Sequence, residues 1–185
     1  MIVYVVGIPG VGKTSVLKKA QEKLKDFKII NFGDLVFEKV KDRVKSRDEI
    51  VKKLKREEYL KIQIEVAREI KGIAKNIIVD THLTLYTPFG FYPGVHRYVA
   101  REIPPDLIIV ITADPKEIYL RRIRDKSRQR DILDIEVLKL WQELEIFYAT
   151  NIMYEYDSYL KTIENREGLL DKAAEELVKT IYDLL

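Results

Sequence analysis

Near its start the chain runs an apolar, β-rich stretch, Ile2-Val3-Tyr4-Val5-Val6, directly into Gly7-Ile8-Pro9-Gly10-Val11-Gly12-Lys13-Thr14. Val16, Leu17 and Ala20 then recur at helical spacing. Gly, four residues, then Gly-Lys-[Ser/Thr] is the Walker A pattern, and it needs the strand before it and the helix after it. Glycines let backbone N–H groups close around phosphate oxygens at the positive end of a helix dipole. Lys13 would then reach the β- and γ-phosphates, and the Thr14 hydroxyl would bind Mg²⁺. Gly7, Ile8, Pro9, Gly10, Val11, Gly12, Lys13, Thr14 and the adjacent Ser15 are thus the candidate cradle for a nucleoside triphosphate.

The remaining pattern extends that start into an α/β fold. Strands are predicted at 2–6, 27–31, 76–80, 107–112 and 158–163, alternating with helical segments, which argues for a five-stranded parallel sheet with helices on both faces. Near-continuous apolar runs, such as Leu107-Ile108-Ile109-Val110-Ile111, fit strands covered on both sides. Leu170, Ala174, Leu177, Ile181 and Leu184 form the core stripe of a last helix. Asp114-Pro115-Lys116-Glu117 reads as a helix start, with Asp as N-cap and Pro at the first helical position.

Two segments exceed what a simple crossover needs. Residues 32–75 separate the second and third strands, where one helix would take about 15 residues; Tyr59, Ile62, Val66, Ile70 and Ile73 share a helical face within them. Residues 121–131 carry six basic residues in eleven, just after a predicted helix. The 185 residues therefore read as a single P-loop domain, with an insertion at about 32–75 and a lid at about 121–134.

Composition narrows the partners. The 33 basic and 30 acidic residues leave a net charge of +3, too small to suggest a nucleic-acid binder. No apolar stretch approaches the ~18 residues of a membrane span, and the N-terminus lacks the basic region and cleavage site of a signal peptide. A cytoplasmic location is expected. The absence of Cys excludes disulfide and thiolate chemistry, and two His make a structural zinc site implausible.

A P-loop alone says nucleotide, not reaction. Signalling GTPases need Gly three residues after the Asp that ends the switch strand; here Asp80 is followed at that spacing by Leu83, and no guanine-reading Lys-x-Asp motif occurs. Kinases of small metabolites instead carry an acceptor-binding insertion after the second strand and an arginine-rich lid after the fourth, the places of the two long segments.

Gly7–Thr14, Ile30-Asn31-Phe32-Gly33-Asp34, Arg47-Asp48-Glu49, Val79-Asp80-Thr81-His82, Thr87-Pro88-x-Gly90-x-x-Pro93-Gly94 and Arg128-x-Arg130-Asp131, in this order, resemble the archaeal-type adenylate kinases. The resemblance implies reversible, Mg²⁺-dependent phosphoryl transfer, ATP + AMP to two ADP, in a homotrimer. It thins beyond residue 132, where bulky Trp141, Phe147, Tyr148, Tyr154 and Tyr156 replace a small-residue-rich helix. Tyr86 stands where the family has Lys or Arg, and Val95-His96 where it has Leu-Pro. Kinases of other nucleoside monophosphates share the layout. A kinase of a small alcohol would want a carboxylate base, for which Asp34 is the candidate.

A monophosphate oxygen is already anionic near neutrality, so it attacks without a general base, and catalysis reduces to alignment and charge neutralisation. Lys13, Arg121, Arg128 and Arg130 are the candidate cations at the moving phosphoryl group, against the alternative of a solvated helix end. Asp80, ending a strand beside the P-loop, would reach Mg²⁺ through water. Asp34 either caps a helix or lines the acceptor site. Arg47 would grip the acceptor phosphate, the alternative being an ion pair with Asp48 or Glu49. Gln63 would read an adenine edge. His82, two residues after Asp80, faces the same side as a positioning hydrogen-bonder.

Overall fold

Residues 1–125 and 133–185 are described in a computed structural model of the chain. In chain order the strands are β1 (Ile2–Val6), β2 (Lys28–Asn31), β3 (Ile77–Asp80), β4 (Thr84–Thr87), β5 (Gly90–Pro93), β6 (Leu107–Thr112) and β7 (Tyr159–Glu164). The helices are α1 (Lys13–Ala20), α2 (Phe32–Glu38), α3 (Ile50–Lys53), α4 (Arg56–Lys71), α5 (Arg97–Glu102), α6 (Pro115–Arg124), α7 (Ile135–Tyr156) and α8 (Leu170–Leu184). Five strands form one sheet in the order β2-β3-β1-β6-β7, all neighbours parallel. The five predicted strands are the five of this sheet, each within a residue of its expected bounds.

Side chains alternate across that sheet because successive residues of a strand point to opposite faces. Tyr4 and Val6 join Ile77, Val79, Ile108 and Val110 in a core with α2, α4 and α5. Val3 and Val5 join Ile78, Leu107, Ile109 and Ile111 in a second core closed by α1 and α8. Helix α7 contributes to both, through Ala149 and Ile152 on one side and Leu138 and Trp141 on the other. The α8 stripe lies as its periodicity predicted, with Ala174, Leu177 and Ile181 buried. At α6, the Asp114 carboxylate caps by accepting from the Lys116 and Glu117 amides at 2.8 and 3.4 Å.

The parallel register brings strand ends together. Asn31 is level with Asp80, and Val5 is level with Asp80 from the other side. The strand order changes direction at β1, so a crevice opens beyond the carboxyl ends of β1 and β3, the place where open α/β sheets bind ligands.

The 32–75 insertion is helical, holding α2, a 3₁₀ turn at Arg47–Glu49, α3 and α4. Tyr59, Val66 and Ile70 pack inward as their spacing predicted. Ile73 does not: α4 ends at Lys71, and Ile73 is 46 % exposed beyond it. The antiparallel β4–β5 hairpin was not expected from sequence; its tip residue Phe89 is almost fully exposed. Among the described residues no helix is long and apolar enough to cross a membrane.

Candidate active site

The chain leaves β1 into a loop that only glycine can follow. Gly7 and Gly12 hold φ of +149° and +88°; a Cβ would stand 2.5 Å from the Ile111 carbonyl oxygen at Gly7, and 2.3 Å from Asn165 Nδ2 at Gly12. Gly12 is also the N-cap of α1 and offers no side chain to its first turn, so those N–H groups remain donors for an anion. Thr14 and Ser15 are exposed on that turn.

Lys13 is not a free cation. Its ammonium pairs with the Asp80 carboxylate, and both side chains are 6 % exposed. Asn31 Nδ2 donates to the other Asp80 oxygen at 2.9 Å. The Asn31 Oδ1 accepts in turn from Arg47 at 3.0 Å and from the Asp34 amide at 3.0 Å. Arg47 also pairs with Asp34 at 2.9 Å. A polar relay, Lys13–Asp80–Asn31–Arg47–Asp34, therefore runs from the P-loop to the helical insertion. The α2 cap is Asn31, not Asp34. Arg47 pairs with Asp34 across the α2 start, while Glu49 is occupied by Lys53 and the Lys45 amide.

Lys13, Asp80, Asn31 and Arg47 of this relay line a cleft of about 570 Å³ bounded by the P-loop, the insertion and the β4–β5 hairpin, whereas Asp34 is not on its wall. Phe32, Val36, Tyr59 and Leu85 supply apolar walls. Under its roof Tyr86 meets Phe91 edge-on at 5.3 Å, with Trp141 5.9 Å from Tyr86. Among the described residues no cluster of three or more acidic or His side chains forms a ready-made metal cage. Mg²⁺ needs none, since it keeps waters and binds through one or two protein oxygens plus substrate phosphates. An exposed Thr14 and a buried Asp80 carboxylate, both on the cleft wall, fit that donor set.

Two expectations take a different form in the structure. Gln63, expected to read a base edge, is 1 % exposed, absent from the cleft wall, and donates to the Gly94 carbonyl at 2.6 Å. Gly94 is buried, and a buried carbonyl requires such a donor; Tyr59, one turn earlier, lines the cleft instead. Arg121 borders the cleft, but its guanidinium donates to the Val11 and Asn165 carbonyls at 3.1 and 3.0 Å and to Glu117 at 2.8 Å. It braces the back of the P-loop. Arg128 and Arg130 lie outside the described residues.

His82 sits against the Gly7 carbonyl through Nδ1. Arg122, one residue past the expected Arg121, donates to the Pro9 carbonyl at 3.3 Å and lies over the Trp141 ring at 5.9 Å. Helical spacing could have found it: Arg122 follows the buried Ile118 by four, and both flank Gly10. Glu145 is fully buried on α7. It falls on the inner stripe Leu138, Trp141, Glu145, Ala149, Ile152, where a charged residue is itself a signal.

A family model described as an AAA domain matches residues 6–139. The adenylate kinase of Methanocaldococcus jannaschii is 39 % identical over 188 residues, covering 97 % of each chain. That of Pyrococcus horikoshii is 40 % identical over 189 residues, 99 % of this chain and 95 % of its own. Among solved structures, a shikimate kinase from Acinetobacter baumannii superposes with a TM-score of 0.68 at 15 % identity, over 98 % of this chain and 93 % of that one. At that identity the likeness concerns the fold alone.

Proposed function

The chain belongs to the adenylate kinase family, and from that premise we propose that its cleft transfers the γ-phosphoryl group of ATP to AMP, giving two ADP, and runs the reaction in reverse. The observation that carries this reading is the relay from Lys13 through Asp80 and Asn31 to Arg47. It joins a triphosphate cradle to a second cationic site in one cleft, as a reaction between two anions requires.

An oxygen of the AMP phosphate attacks the γ-phosphorus, that new P–O bond forms, and the bond to the β-phosphate oxygen breaks, releasing ADP. No general base is needed, because the attacking oxygen is already ionised. The loop N–H groups and Lys13 hold the donor phosphates, Arg47 holds the acceptor phosphate, and the apolar wall of Phe32, Val36 and Tyr59 receives the acceptor base. Thr14, with Asp80 through water, would hold Mg²⁺, which when bound neutralises phosphate charge. Arg128 and Arg130 supply positive charge to the moving group. Arg121 and Arg122 keep the loop in shape for it.

The protein acts on free nucleotides in the cytoplasm, as a homotrimer. Self-association is supported by the outer face of α7, where Leu140, Phe147 and Tyr154 stand exposed at helical spacing.

The test is a coupled ADP-formation assay with ATP–Mg²⁺ against AMP, CMP, UMP, GMP, shikimate and no acceptor. AMP should be used at least tenfold more efficiently than the other monophosphates. A pyrimidine preference refutes the adenylate specificity and leaves a monophosphate kinase. Phosphorylation of the alcohol alone refutes both.

A further inference from the structure

Among the described residues, the Glu145 carboxylate is the most heavily bonded buried side chain that the mechanism above does not use. Its Oε1 accepts from the Gly7 amide at 3.2 Å and the Leu83 amide at 2.8 Å. Its Oε2 accepts from the Thr84 amide at 2.8 Å and from the Thr84 hydroxyl. Trp141 Nε1 donates to that same hydroxyl at 3.0 Å, so the hydroxyl proton is left to point at Glu145. Burial pushes this carboxyl's pKa up, opposed by the bonds from Thr84 and the Leu83 amide, and four donors on two oxygens match the acceptor capacity of the ionised form.

These bonds gather three segments far apart in the chain. Gly7 opens the P-loop, and Leu83 and Thr84 follow the Asp80–His82 segment. Glu145 itself lies on α7. His82 closes the arrangement by bonding the Gly7 carbonyl. Gly7, the first residue of the P-loop, is therefore held at its N–H by Glu145 and at its carbonyl by His82. Gln142, on the same helix, adds a two-way bond to the Ala113 backbone, at 3.0 Å in each direction.

We propose that Glu145 is a positioning residue for phosphoryl transfer, fixing the P-loop entrance, the Asp80–His82 segment and α7 in one relative placement. It touches neither nucleotide. Its effect is on the alignment of the two phosphates, which phosphoryl transfer needs more stringently than binding does. This rests on the phosphoryl-transfer reading above.

Glu145→Gln keeps the shape and loses the charge. However the amide turns, its NH₂ faces at least one backbone N–H, at Thr84 or at both Gly7 and Leu83, so a buried donor is orphaned. Steady-state kinetics with both substrates varied, at a temperature well below melting, should show kcat lowered at least tenfold in Glu145→Gln. The Michaelis constants should stay within threefold. Glu145→Asp, shorter but still ionised, should retain more kcat than Gln. Thr84→Val removes one of the four donors to Glu145, so it should lower kcat less than Glu145→Gln, and the two should combine sub-additively because both disturb the hydroxyl–carboxylate contact.

A lowered melting temperature with kcat within threefold of wild type would overturn the proposal, since it would make Glu145 a structural residue only. Fully additive effects of Glu145→Gln and Thr84→Val would also overturn it. Wild-type protein inactive on every acceptor would instead refute the phosphoryl-transfer reading. Amide exchange at Gly7 and Thr84 in ATP-bound protein then decides the clamp by itself: faster exchange in Glu145→Gln supports it, and unchanged protection overturns it.

Discussion

Replacing Lys13 by Ala should damage both rate and stability, and the two losses can be separated. From sequence, Lys13 looks like a loop cation whose removal leaves the fold intact. In the structure it is one half of a buried ion pair, with Asp80 its partner and, among the described residues, Asn31 also bonded to that carboxylate. Truncating one member of a fully buried pair costs about 3–5 kcal/mol, because the other charge is stranded. Here the pair faces an open cleft, so water can enter the vacated space and Asn31 remains, and about 2 kcal/mol is the better figure. For a domain of this size that corresponds to a drop of roughly 4–8 °C in melting temperature. The rate loss is separate: a preorganised donor to developing charge is worth about 10²–10³ in kcat. The assay is ADP formation with saturating ATP–Mg²⁺ and AMP, alongside thermal melts of Lys13→Ala, Asp80→Asn and the double variant. The double variant carries no stranded charge, so its melting temperature should recover most of the loss while kcat stays low. A Lys13→Ala protein retaining more than a tenth of wild-type kcat would refute the catalytic assignment. A double variant as unstable as Lys13→Ala would refute the stranded-carboxylate argument.

Two further outcomes bear on the cleft. Arg128→Ala and Arg130→Ala should each lower kcat by about 10³ while changing the Michaelis constants much less, and Arg128→Lys should rescue poorly, because a point charge lacks the planar fork of a guanidinium; raised KM with kcat unchanged would assign these residues to ground-state binding only. Trp141 is the sole tryptophan, 5 % exposed on the cleft wall with the Arg122 guanidinium over its ring, so its emission should shift saturably on titration with ATP; a flat titration alongside binding measured by calorimetry would place the nucleotide away from this wall.

What could be read from sequence was what neighbouring residues decide among themselves. The P-loop, the Asp114-Pro115 helix start and the five strands depend on hydrogen bonds and periodicities spanning a few residues, and each lies where its local pattern placed it. The helical insertion was legible for the same reason, up to the turn where α4 stops short of Ile73. The β4–β5 hairpin escaped because its residues read first as a motif, and the Thr84–Thr87 run is too short to announce a strand unaided.

The site's working contacts were of another kind. Lys13 meets Asp80 across 67 positions, and Glu145 meets Gly7 across 138. No periodicity records such distances; they follow from parallel strands ending level and from α7 crossing behind them. Gln63 shows the same limit from the opposite direction. Its residue type suits a base edge, but the fold set a buried Gly94 carbonyl beside it, and an unmet acceptor in the interior outweighs a ligand contact at the cleft. Residue chemistry dictated that this chain would bind phosphate; which polar groups face the ligand, and which are spent holding the backbone in place, was decided only when the strand ends came together.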